Sequence, residues 1–249
     1  MIFQIELTRL FIILIPQLIT TFIYLFIIYK VLKRRKDRSS VIISFFYLSW
    51  GLAFIINSLK LFLILFESEL NIILIFDYLT FYFIIFGFIY IEIFVMIIHQ
   101  SVIRLSLKRI TSIIVLYAMI CTLILFIPNG ITIDPDQGYR IKYSLAFLIT
   151  NYLFFTSIIV IPTFTFFSQT YKTIKTPILR KRFKYLIIGI VLAFLDIYGA
   201  ALYNTWHNET FRVIWSVVTL FLLVPSAILI YLGIGKNLGI TKQLKYYDY

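Results

Sequence analysis

The stretch LFIILIPQLITTFIYLFIIY, residues 10–29, decides the fold class. It is an uninterrupted apolar run of the length that a helix needs to cross a bilayer. Directly after it comes KVLKRRKDRSS, residues 30–40, with six cations and one acid. Six further apolar runs follow, and because none of them alternates between polar and apolar positions, helices are expected rather than strands. The predicted spans are residues 10–29, 41–66, 72–98, 110–131, 145–169, 185–204 and 213–234.

The composition excludes a water-soluble domain. Of the 249 residues, 61% are hydrophobic and 14% are charged, whereas a soluble domain has about 45–50% apolar and about 25% charged residues. We therefore predict an all-α membrane protein. Residues 1–249 are expected to form a single domain, a bundle of seven transmembrane helices that is followed by a short basic tail, residues 235–249.

The charges predict the orientation of this bundle. The chain has 23 Lys and Arg residues against 11 Asp and Glu residues, a net charge of +12. If the N-terminus is outside, 18 of the 23 cations lie in the inner segments, and cytoplasmic loops are known to collect Lys and Arg. This predicts an outer N-terminus, a cytoplasmic C-terminus and a location in the cell membrane. It also explains the positive charge without a nucleic-acid partner. The inner segments are residues 30–40, 99–109, 170–184 and 235–249.

Ionisable side chains inside membrane spans are expensive and are functional candidates by default. Lys60 in the second span and Asp77 in the third lie at matched depths, about 8–9 Å from the outer edge at 1.5 Å per residue. They are expected to pair across the helical hairpin. The pair then either locks the two helices together or, with Asn57, lines an outward-facing ligand pocket.

Two more acids and three prolines lie within the spans. Asp196 is near the middle of the sixth span, where it could hold a proton, bind a cation or be satisfied by hydroxyl groups of neighbouring helices. Glu92 lies near the inner end of the third span, within reach of inner basic groups or of the surface. Pro16, Pro162 and Pro225 interrupt the first, fifth and seventh spans, where they are expected to bend the helices.

The sequence carries no recognisable motif of an enzyme or a metal centre. The sequence contains no His, Cys, Asp and Glu cluster with metal-ligand spacing, no glycine-rich phosphate loop and no Gly-x-Ser-x-Gly. We expect no catalytic residues, no metal and no cofactor. The lone Cys121 excludes an intramolecular disulfide. Asn208 begins a glycosylation sequon on the predicted outer side.

Several longer features are shared with one known family. They are YKVLKRRKDRSS before a second span with Trp50, the Pro128–Asn129 pair that closes the fourth span, RKRFKYLIIGI leading into the sixth, and YLGIGKNLGITK at the end. With these features, residues 8–242 resemble the seven-span sensory region at the N-terminus of some prokaryotic histidine kinases. The resemblance implies a receptor or sensor. Residues 235–249 cannot hold a kinase, so a stand-alone module is expected, with a small ligand and a cytoplasmic signalling protein or a second copy as partners.

Two other functions fit the same pattern. A small-solute or ion-coupled transporter would use Asp196 as a coupling or substrate group, and the Pro16–Gln17 pair is similar to the motif of seven-span PQ-loop transporters. A structural subunit of a larger membrane complex would use the buried charges only to fix helix packing.

Overall fold

The computed structural model describes residues 2–34, 36–66, 69–100, 105–135 and 139–234, with side chains from residue 14 onward except residue 100. Within these ranges seven helical segments are long and apolar enough to cross a membrane. A short π-helical turn joins α5 to α6, so these two helices make up one span. The helices are α1 Ile2–Arg34, α2 Arg38–Leu65, α3 Leu70–Gln100, α4 Leu107–Leu125, α5 Leu145–Phe155, α6 Ile161–Thr173, α7 Pro177–Thr205 and α8 Glu209–Ile234.

These segments confirm the all-α class and the seven predicted spans, and the chain is a multi-pass membrane protein. Several helix ends differ from the predicted bounds, and in two spans the local sequence explains where the helix begins. The sixth span begins at Pro177 instead of residue 185, because proline is well suited to a first helical turn, where its missing N–H has no partner to lose. The fourth begins after Ser106, whose side chain accepts from the Arg109 N–H, and ends at Leu125 instead of residue 131.

The segment between the fourth and fifth spans forms a β-hairpin that the sequence did not reveal. Strand β1, Ile131–Asp134, pairs antiparallel with β2, Arg140–Tyr143, so that Asp134 lies opposite Arg140. Lys142 forms an ion pair with Asp134 on the diagonal of this register, a spacing that long side chains can bridge. The two paired strands therefore form a cap at one end of the bundle.

Only one of the three prolines coincides with a change of helix type. Pro16 and Pro225 lie inside continuous helices. Before Pro162 the chain makes a π-helical turn, Thr156–Val160, in which the Ile161 N–H donates to the Thr156 carbonyl. Single π turns accommodate an irregularity in an α-helix and occur often at functional sites. A wider helical turn thus lies directly before Pro162, where a bend was expected.

The helices pack around a shared interior. Neighbouring pairs α1–α2, α2–α3 and α7–α8 make the most extensive contacts, α3 packs on α6, and α1 also contacts α8. α4 lies against α3 and α5. We call the end with β1, β2 and the α7–α8 turn the hairpin end, and the end with the α6–α7 turn the basic end.

The middle of the bundle is filled by aromatic side chains from α1, α2, α3, α5 and α7. Phe88 is central, with ring centroids 4.8 Å from Phe155 and 5.5 Å from Phe194. Trp50 donates its indole N–H to the Ile84 carbonyl at 3.0 Å. Each ring is at most 7% exposed, so these side chains form a buried aromatic layer inside the bundle. This aromatic core consists of Tyr24, Phe46, Tyr47, Trp50, Phe54, Phe88, Phe155 and Phe194.

Candidate functional site

Lys60 and Asp77 form the ion pair that their matched depths predict. The Lys60 Nζ donates to Asp77 Oδ1 at 2.6 Å, and the two side chains are 6% and 3% exposed. In the part of the chain that the structure describes, Asp77 Oδ2 has no hydrogen-bond partner. The pair is therefore sealed from solvent with one acceptor atom unused.

Tyr143 of the hairpin lies beside this pair. Burial raises the pKa of Tyr143, and the nearby Asp77 carboxylate raises it further. The Tyr143 side chain also hydrogen-bonds that of Asn204 at the end of α7. Its ring packs on Phe81 of α3, with centroids 5.9 Å apart. One hairpin residue thus contacts α3 and α7 together.

Asn57, the other predicted member of this group, stays at the edge. It is half-buried, whereas Lys60 on the same helix is buried. Among the contacts that the structure describes, Asn57 makes no hydrogen bond to the pair. Nothing in the geometry gives it a binding role, and its assignment stays a prediction.

A second ionic group at the hairpin end involves Arg212, which lies in the first turn of α8. Arg212 is only 5% exposed, and its Nε donates to the Tyr203 carbonyl at 3.3 Å. Its Nη2 contacts His207 Nδ1 at 3.0 Å. Loss of hydration and the Arg212 guanidinium lower the pKa of His207. Glu209 pairs with Arg140 of the hairpin, which connects the cap to the α7–α8 turn.

Asp196 lies apart from both groups, in the half of α7 that is nearer to the hairpin end. It is 5% exposed, and its Oδ1 has no partner among the described residues. The Thr219 hydroxyl of α8 hydrogen-bonds its carboxyl group, and Tyr24 of α1 lies within electrostatic range. The structure thus shows one neighbouring hydroxyl, as expected, and leaves one carboxylate oxygen unsatisfied.

Glu92 packs inside the α3–α6 interface, and the structure shows Thr163 as its hydrogen-bond partner. It is 5% exposed and accepts from the Thr163 hydroxyl. One heptad further along both helices, His99 Nδ1 lies 3.2 Å from the Thr170 hydroxyl. The two contacts run in the same direction, so α3 and α6 are parallel. The equal seven-residue spacing in both helices is a sequence signal that could have revealed this interface.

The predicted site residues therefore form three separate sites: the Lys60–Asp77 pair, the Asp196 group and the Glu92 group. No set of three or more His, Cys, Asp and Glu within the described ranges could hold a metal ion. No protein-family model matches the chain, and no curated protein matches it.

Proposed function

We propose that the protein is a receptor or sensor-like module of the cell membrane. In this proposal the hairpin end faces outward and reads a small ligand or the state of the membrane. A movement of α6 and α7 then passes the signal to a separate cytoplasmic partner at the basic end. The positive-inside distribution supports this orientation, and the resemblance to histidine-kinase sensory regions supports this class.

The proposal rests on one observation: a single continuous helix, α7, extends from the hairpin end past Asp196 to the basic end. α7 ends at the hairpin, where Asn204 meets Tyr143, and holds Asp196 nine residues before its end. It begins with a basic segment in which Arg180 lies over the Tyr171 ring of α6, 4.8 Å from its centroid. A shift of α7 at the hairpin therefore moves its basic start, since packed helices shift as rigid elements.

The basic end offers a surface for the output. Phe167 of α6 packs against Phe183 of α7, with ring centroids 5.4 Å apart. Around this contact the charged side chains point outward: Lys172, Lys181 and Lys184 are exposed. A partner with an acidic surface would meet the turn between the two helices whose movement we propose.

The proposed signal path is tested by measuring the basic end while changing only the hairpin. Spin labels at Thr111→Cys of α4 and Ile178→Cys at the start of α7, both exposed positions, are placed in a Cys121→Ala background. Tyr143→Ala removes the contacts to Phe81, Phe147, Asp77 and Asn204. We expect the distance between the labels to shift by about 1–2 Å, the size of helix shifts in known switches.

Thr132→Val is the matched control, because the Thr132 side chain is exposed on the same hairpin and the change removes its long hydrogen bond to the Lys142 carbonyl. It should leave the distance unchanged. Equal distances in Tyr143→Ala and wild type, with both proteins folded, would contradict the sensor proposal and favour the structural-subunit alternative.

The transporter alternative has its own supporting observation, the unsatisfied Asp196 carboxylate within the α7 span. Transport requires that this residue be reached from both sides, and the aromatic core would have to open. We expect Thr219→Cys, in the Cys121→Ala background in sealed vesicles, to react with an impermeant maleimide from one side at most. Thr132→Cys and Thr111→Cys mark the hairpin and basic sides. Labelling of Thr219→Cys from both sides would favour transport.

A further inference from the structure

The α7–α8 interface buries two polar atoms of opposite kind, each lacking a partner among the described residues. Asp196 Oδ1 is an acceptor, and Trp215 Nε1 is a donor. Leaving such an atom unsatisfied costs about 1–3 kcal/mol, and more when the group is charged. A molecule that donates to one and accepts from the other would satisfy both.

The two atoms lie on facing surfaces about one helical turn apart. Asp196 and Gly199 are three residues apart on α7, and Trp215 and Thr219 are four apart on α8, so each pair shares a helix face. Thr219 hydrogen-bonds Asp196. A Cβ on Gly199 would lie 1.6 Å from Trp215 Cζ2 and 2.2 Å from Cε2, the atom that carries Nε1. Only glycine at position 199 admits the six-membered ring of this indole, to which the five-membered ring with Nε1 is fused.

The charge at this site calls for a cation. Among the described residues no Lys or Arg lies within salt-bridge distance of Asp196. A lone carboxylate at this depth is unfavourable, and a cation relieves that cost.

The site lies beside the exposed face of α8. Asp196 is buried, but Trp215 and Thr219 are only partly buried. Neighbouring α8 residues such as Val213 and Val217 are 66% and 53% exposed.

We propose that this site binds a small amine. Its ammonium group would donate to Asp196 Oδ1, and a hydroxyl or carbonyl oxygen next to the ammonium group would accept from Trp215 Nε1. The inference rests on the proposed sensor function, because the bound amine would be the signal that α7 transmits.

The test uses the 19F spectrum of protein labelled with 5-fluorotryptophan in lipid nanodiscs near neutral pH. The three tryptophans give three resonances, and Trp215→Phe assigns that of Trp215. Ethanolamine, which carries both groups, should shift the Trp215 resonance saturably. Ethylamine, which lacks the oxygen, should bind about tenfold more weakly, and ethylene glycol, which lacks the charge, should cause no saturable shift.

Asp196→Asn should abolish the ethanolamine response, while unchanged Trp50 and Trp206 resonances report that the fold is intact. The wild-type ligand series decides the question even if this variant does not fold. No saturable shift with ethanolamine, an equal response to ethylene glycol, or a response that persists in folded Asp196→Asn would overturn the amine site. A resonance that moves with pH but not with ethanolamine would identify a site for water and a proton, and would also overturn it.

The Tyr143→Ala distance measurement needs no amine, so failure of the two proposals can be told apart. A distance shift without ethanolamine binding removes the amine site and leaves the sensor. Ethanolamine binding without any distance shift leaves the site and removes the proposed signal path.

Discussion

Asp77→Ala will lower the free energy of unfolding by about 3–5 kcal/mol, because it leaves Lys60 buried without its counter-ion. Lys60→Met will be costly for the same reason, since it leaves the Asp77 carboxylate unpaired. The double variant Lys60→Met/Asp77→Leu removes both charges from the interior. We expect it to recover most of the loss, because buried ion pairs are often replaced by apolar residues without net cost.

The measurement is equilibrium unfolding in mixed detergent and dodecyl sulfate micelles, read by helical circular dichroism. Arg140→Gln provides the matched control, since its partner Glu209 is 64% exposed. Exposed pairs contribute about 0–1 kcal/mol. If the double variant is as unstable as Asp77→Ala, the pair has a role beyond mutual neutralisation, and a structural lock does not explain it.

Gly233→Ala should be strongly destabilising, because the atoms that a Cβ would meet across the α7–α8 interface include backbone atoms of Leu186. A Cβ at this position would lie 2.6 Å from the Leu186 backbone nitrogen and 2.7 Å from its Cα. At Gly189 a Cβ would lie 2.8 Å from the Ile230 backbone nitrogen. Backbone atoms cannot turn aside, so the helices must separate. Overpacking of this kind costs about 1–3 kcal/mol, and small residues are what allow such close approach in membranes.

Gly51→Ala is the matched control, because a Cβ there would meet nothing within 4 Å. It should stabilise the protein by about 0.5–1 kcal/mol, the ordinary gain from replacing glycine in a helix. Both variants are measured by the same unfolding assay. Similar values for Gly51→Ala and Gly233→Ala would contradict the close α7–α8 packing.

The parts of the fold that were predictable follow from the solvent. In a bilayer every backbone polar group must be satisfied within the segment, so long apolar runs can be assigned to helices from hydropathy alone. The Lys60–Asp77 pair was predictable for a related reason. Counting residues from a short helical hairpin fixes the depth of each charge, and two opposite charges at one depth attract each other.

The other contacts depend on how each helix is rotated about its axis, which hydropathy does not report. The contact of Trp215 with Gly199 and the position of Tyr143 beside Asp77 arise only after α7, α8 and the hairpin have packed. Strands of four residues in a polar linker are too short to give a clear alternating pattern. Thr163 carries no charge, so its bond to Glu92 had no signal except the heptad spacing.

The central claim is that the hairpin and the basic end are coupled through α7. The most direct test is the distance between labels at positions 111 and 178, measured side by side in wild type and Tyr143→Ala in nanodiscs. We expect the distance between the labels to shift by about 1–2 Å in Tyr143→Ala and to stay unchanged in Thr132→Val. Identical distance distributions in all three folded proteins would contradict the central claim.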